Sequence, residues 1–207
     1  MMYKRALSVL LLLAALTISS AYGQVAFSAL GGFYQHAFNL TLSADEGLSI
    51  HYTTDGALPT TLSPCYVQPL MLSPSFYSSR DIYLMPDAPE GDWNPPTSVC
   101  HAIVLRAAAF DSQGAQVGPV ATHTYLIADL LEHQPQLPAV SIALDFTHLF
   151  DPDSGIFSPN GFDPEDEYFT GNFNQHGREW ERLASVEFYE LDNTGFAQDL
   201  GVRVHGG

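Results

Sequence analysis

Apolar and polar residues alternate in short stretches along most of this chain. Phe38-Asn39-Leu40-Thr41-Leu42 and Ile50-His51-Tyr52-Thr53 both show the period of two that marks a strand with one buried face. Further strands are predicted over 66–72, 102–110 and 122–127, with Thr54-Asp55-Gly56 and Asp111-Ser112-Gln113-Gly114 as turns. Regular spacing of short strands with almost no helical period predicts an antiparallel sandwich over residues 24–130. Residues 131–138, with Pro135 and Pro138, are predicted to be a linker. Beyond it the pattern predicts a strand over 139–144, a helical turn over 147–150, an acidic loop over 151–171 and a strand over 184–190. Asp192-Asn193-Thr194-Gly195 is a turn. A last strand is predicted over 201–205, where Val202 and Val204 alternate with Arg203 and His205. A strand needs a partner and this alternation runs up to Gly207, so the chain is expected to be the front part of a longer protein.

The first 23 residues do not fit this pattern. Lys4 and Arg5 precede an apolar run from Ala6 to Ile18, and Ala21-Tyr22-Gly23 places small residues before Gln24. These are the parts of a signal peptide; the run is shorter than the ~20 residues of a membrane span. Export to the cell surface or medium, with no span left after cleavage, is the expectation. What remains holds 23 acids and five arginines (Arg80, Arg106, Arg178, Arg182, Arg203) and no lysine. Its net charge of about −18 repels nucleic acid and anionic membranes. Absence of lysine also argues against a self-contained nucleotide site, since such sites usually set a lysine on the phosphates.

Two stretches carry family resemblances. Gly31-Gly32-Phe33-Tyr34, the run Ile50 to Thr60 (I-H-Y-T-T-D-G-A-L-P-T), Val104 to Phe110 and Thr122-His123-Thr124-Tyr125 resemble the chitobiase/β-hexosaminidase C-terminal-type domain. That resemblance implies an immunoglobulin-like sandwich of the kind attached to secreted enzymes. A long excursion from Ser73 to Ser98, with Trp93-Asn94-Pro95-Pro96, departs from the family pattern. Leu137 to Ala143, Leu149 to Phe157, Gly177 to Glu190 and Gly201 to Gly207 resemble the segment that opens the kinase-like domain of the CotH (spore coat protein H) family. Together the resemblances imply a mainly β chain: a sandwich, then the truncated β-rich beginning of a kinase-like α+β domain over 139–207. They imply ATP and a divalent metal for the full-length protein and none in this fragment. The acceptor would be an extracellular protein, and the family's catalytic acids would lie downstream of the residues given. The pattern around Arg203, His205, Gly206 and Gly207 resembles the first strand and turn of that domain, which implies a nucleotide-proximal position; an ordinary turn at Gly206-Gly207 is the alternative. The competing reading is a secreted module that binds polysaccharide, with Trp93 as its glycan contact.

Other residue groups admit a chemical and a structural reading. Cys65 and Cys100, in an exported chain, suggest a disulfide closing a loop of about 36 residues, worth roughly 3–4 kcal/mol; two thiols are the alternative. Arg178-Glu179-Trp180-Glu181-Arg182, if extended, puts both arginines and Trp180 on one face. The cluster then either performs acid–base chemistry and clamps phosphate, or is an ion-paired segment that pins the loop on the sheet through a buried Trp180. Asp151-Pro152-Asp153-Ser154-Gly155, with Asp163, Glu165, Asp166 and Glu167, hints at calcium but fails the EF-hand spacing, so a solvated acidic loop is expected. Tyr34, Tyr52, Tyr66, Phe76 and Tyr77 are read as sandwich core rather than a sugar platform. Asn39-Leu40-Thr41 is a glycosylation sequon within a predicted strand.

Overall fold

A computed structural model describes residues 22–73, 102–127, 137–160, 165 and 171–205. The chain is mainly β, as the alternation predicts. Its strands in order are β1 (Ala26–Phe27), β2 (Gly32–Tyr34), β3 (Phe38–Leu40), β4 (Leu42–Ser43), β5 (Ser49–Thr53), β6 (Leu70–Leu72), β7 (Ile103–Phe110), β8 (Gln116–Ile127) and β9 (Ala139–Ala143). A short helix α1 (Phe146–Phe150) follows, then β10 (Arg182–Tyr189) and β11 (Gly195–Val202).

Three layers result. The middle layer is a four-stranded sheet in the order β2-β8-β7-β5, antiparallel except for the parallel β2–β8 pair. On one side lie the pairs β1–β4 and β3–β6. Leu40, Leu42, Leu70 and Leu72 from those pairs pack with Ile103, Leu105, Ala107, Ala109, Tyr125 and Ile127 of the middle sheet to form the core. Tyr34, Tyr52 and Tyr66 line this core, which supports their structural reading. On the other side of the middle sheet lies a three-stranded antiparallel sheet, β11-β10-β9. β7 is therefore covered on both faces and buried almost throughout, which explains its nearly continuous apolar run I-V-L-R-A-A-A-F.

Several boundaries differ from the sequence reading, each for a local reason. The strand predicted over 66–72 divides: residues near Cys65 bond to β5 (Tyr66 N–H to Ile50 O, 2.8 Å), and only Leu70–Leu72 pairs with β3. Pro69, which has no N–H to offer, marks where the chain changes sheets. β8 begins six residues earlier than predicted, and its register against β7 shifts between Ala107 and Ala109. The last strand is Gly195–Val202, not 201–205. Asn193, at φ 65°, closes the turn so tightly that Gly195 already pairs with Tyr189; pairing ends at Val202 because its partner Arg182 is the first residue of β10. Arg178–Trp180 is a 3-10 turn rather than an extended segment.

The strands fit their places through side-chain chemistry. Asp111 Oδ1 accepts from Gln113 N–H (2.8 Å) and Ala115 N–H (2.9 Å), building the β7–β8 turn with Gly114 at positive φ. Because core packing carries the sandwich, Leu105→Ala is expected to cost about 2–5 kcal/mol. Leu62→Ala, at a residue 95% exposed, should fall within about 0.5 kcal/mol of wild type. Urea denaturation of the two variants checks both values.

Candidate functional site

The middle sheet and the three-stranded sheet meet through polar side chains. Along β10 the odd-numbered residues Ser185, Glu187 and Tyr189 turn toward the sandwich, because successive strand residues alternate faces. Thr122 donates to Ser185 Oγ (3.1 Å), and Ser185 donates to Asp199 Oδ1 of β11 (2.5 Å). Thr124 and Ser141 share a hydrogen bond of 2.7 Å, which ties β8 to β9. Glu187 is 1% exposed and sits between His123 (Nδ1 to Oε1, 3.3 Å) and Tyr189, whose hydroxyl donates to Oε1 (2.5 Å). The His123 ring packs edge-on against Phe27 at 4.7 Å between centroids. Burial, reinforced by the bond to Glu187, pushes the Tyr189 hydroxyl far above its ordinary range.

Three contacts lock the ends of this seam. Asn193, in the β10–β11 turn, pairs with the Phe33 backbone as a strand would: its Oδ1 accepts from Phe33 N–H (2.6 Å) and its Nδ2 donates to Phe33 O (3.1 Å). Asp145 caps α1 through Thr147 and also accepts from Leu58 N–H (3.1 Å), just after the Thr54-Asp55-Gly56 turn. Arg106, 2% exposed, donates from Nη1 to Gly56 O (2.7 Å). Burial lowers its pKa, while nearby Asp199 and Asp145 favour its charge. Gly31 has to lack a side chain here, since a Cβ would stand 1.9 Å from the Tyr189 hydroxyl and 2.8 Å from Thr124 O.

Chemically the seam joins rather than reacts. Glu187, His123 and Tyr189 are a carboxylate, an imidazole and a phenol in hydrogen-bond reach, the parts of an acid–base relay. Two sheets close over them, and the buried Glu187 Oε2 and Arg106 Nε have no partner. Among the described residues no group of three or more His, Cys, Asp or Glu side chains is arranged to hold a metal ion.

The structure places the sequence-derived candidates elsewhere. Arg203 and His205 lie exposed past the end of β11, while Gly206, Gly207 and Trp93 fall outside the described residues. Cys65 is exposed with a free thiol; Cys100 is outside the described residues, and among the described residues no disulfide is found. In the Arg178–Arg182 cluster, Arg182 stacks over Trp180 (5.2 Å to the ring centroid). It also donates to the carbonyls of Ser154 (2.7 Å) and Glu179 (2.8 Å), so it pins the loop through backbone carbonyls, and Trp180 is half-buried rather than buried as expected. Asp151 Oδ1 accepts from Asp153 N–H and from the N–H and hydroxyl of Ser154, which makes it a turn former. Asp163, Asp166, Glu167, Phe76 and Tyr77 are outside the described residues. Sequence reading missed Arg106, His123, Glu187 and Asn193 as a group. The available signals were a lone arginine in an apolar strand and a glutamate at an alternating position of A-S-V-E-F-Y.

Fold and seam define a β-sandwich module carrying a second sheet on one face. Residues 29–122 match the family model described as chitobiase/beta-hexosaminidase C-terminal domain, so the chain contains a domain of that type. Neither the curated proteins nor the solved structures yield a match to the chain. The family match stops within β8, at the residue where the seam begins.

Removing the Glu187 carboxylate leaves the Tyr189 hydroxyl and the His123 ring nitrogen without their partner. Glu187→Ala is therefore expected to cost about 1–3 kcal/mol. Glu187→Gln, which can still accept from Tyr189, should cost less; thermal and urea unfolding distinguish the two. Asp145 provides a pH test. Burial alone would raise its pKa, but hydrogen bonds from the Thr147 hydroxyl and amide and from Leu58 N–H outweigh it and hold the carboxyl below its ordinary 3.8. A depressed folded pKa stabilises above the ordinary value and is lost as pH falls through the folded one. The stability gap between wild type and Asp145→Asn should be full above about pH 4 and close as the pH falls further, through the folded pKa, as read by urea midpoints from about pH 6 down to about pH 2.

Proposed function

We propose that this chain is the N-terminal portion of a secreted CotH-type kinase-family protein, in which the sandwich is a scaffold that holds the first sheet of the kinase-like domain. The observation that carries this reading is the seam. The outer face of the middle sheet is occupied by β9–β11, so the sandwich serves a following domain directly. The residues of that added sheet are those whose motifs resemble the opening of the kinase-like domain. Export is proposed from Lys4-Arg5, the apolar run and Ala21-Tyr22-Gly23. Cleavage before Gln24 would leave the buried Val25 and all of β1 in place.

The family reading implies ATP and a divalent metal, and the residues at hand do not fit them. No lysine follows Lys4, and the described acids cluster in no metal-holding group. No phosphoryl-transfer step is assigned to any residue of this chain; metal-binding acids and a phosphate-contacting lysine would come from a further domain. The test has two parts. The reading frame beyond the codon for Gly207 should encode a lysine and clustered aspartates. The product of that frame should transfer phosphate from ATP with Mg²⁺, whereas the 207-residue chain should not. A stop codon directly after Gly207 would overturn the proposal.

A second reading rests on the match to a domain type that accompanies carbohydrate-active enzymes: a secreted glycan-binding module. The seam weighs against the middle sheet as its binding face, and Tyr34, Tyr52 and Tyr66 are spent on the core. Trp93 is the remaining candidate. Retardation in gels containing soluble chitin, abolished by Trp93→Ala, would favour this reading over the scaffold.

A further inference from the structure

The added sheet is built with its polarity reversed. Its docked face carries Ser141, Ser185, Glu187, Tyr189 and Asp199, whereas the opposite face is apolar. Register sets Val140, Phe188 and Phe196 in one row across the three strands, and Ile142, Val186 and Gln198 in the next. These rows are open, with Val140 62%, Ile142 55% and Phe196 57% exposed and Val186 and Phe188 half-buried between them. The open face ends at Ala184, which is fully buried opposite Leu200. Phe188 and Phe196 stack at 5.8 Å between centroids. A contiguous apolar sheet face rimmed by polar groups marks an interaction surface, and the layer that completes an open sheet face is commonly a helix.

Charge identifies the chemistry of that helix. The chain carries a formal net charge of −16. Glu190 and Asp192 stand exposed at the hairpin end, next to the Phe188–Phe196 row. At the far end Arg182 is already engaged by Trp180 and by the Ser154 and Glu179 carbonyls, beside the exposed Glu181. A second copy would bring like acids together, and an anionic lipid surface would be repelled. We propose that the open face of β9–β10–β11 docks a cationic amphipathic helix from a polypeptide partner. The apolar stripe of the helix lies across Val140, Ile142, Phe188 and Phe196, and its basic end faces Glu190 and Asp192.

The experiment titrates the full chain with two synthetic helical peptides that share a leucine stripe, one flanked by lysines and one by glutamates, using fluorescence anisotropy. The lysine peptide should bind, weaken with added salt, and outbind the glutamate peptide at least tenfold. Ile142→Asp with Phe196→Asp adds negative charge yet should weaken lysine-peptide binding at least tenfold; Leu62→Asp on the sandwich should not. Glu190→Gln with Asp192→Asn should reduce the salt dependence while keeping the stripe. Circular dichroism and thermal unfolding establish that each variant is folded. Unchanged or tighter binding by the Ile142/Phe196 variant would overturn the proposal as mere charge attraction. Absence of binding by either peptide would overturn it too, as would a dimer by light scattering that the same double variant dissolves. Lysine-peptide binding equal to glutamate-peptide binding would refute the charge assignment.

Discussion

Burial of Glu187 is the constraint around which the two sheets are arranged. A carboxylate removed from water is costly unless charged or hydrogen-bonding partners reach it. Here Tyr189 comes from two residues along the same strand and His123 from the sandwich, both on Oε1, so the His123 contact exists only while β10 lies against β8. Thr122, Thr124, Ser141 and Ser185 then find their partners at the same spacing. Such a seam fixes register more sharply than an apolar contact. A slip of one residue would turn Ser185, Glu187 and Tyr189 to the wrong face and strand every polar group on the other.

The seam also changes what the middle sheet exposes. Without the second sheet its outer face would lie in water. Here Arg106 and Ala108 of β7 are buried on that face, and the Gly56 carbonyl from the T-D-G turn receives Arg106. Asn193 and Asp145 reach back to the Phe33 and Leu58 backbones at separate points. These contacts resist twisting of one sheet on the other. The polarity of the added sheet is reversed: its hydrogen-bonding face is used inward, which leaves its apolar face outward.

Much of the fold could be read along the chain. Alternation at 38–42, 50–53 and 184–190 located strands, the Asp-Gly and Asp-Asn-Thr-Gly sequences located turns, and V-L-R-A-A-A-F together with Y-T-T-D-G matched a family whose model covers 29–122. Boundaries went astray where a decision depended on a distant partner. Pro69 sends the chain to β3, Gly195 pairs early because Asn193 adopts positive φ, and Val202 ends β11 only because β10 starts opposite it.

By itself the sequence determined the strand periods, the acidity, the missing lysines and the domain type, because each depends on local pattern or on composition. Tertiary structure decided which side of each strand faces inward and what meets it there. Period two shows that Ser185, Glu187 and Tyr189 share a face, yet hydrophobic patterning would assign the opposite, apolar face to the interior. Only the approach of β8, some sixty residues earlier in the chain, supplies the histidine and threonines that make the polar face the buried one.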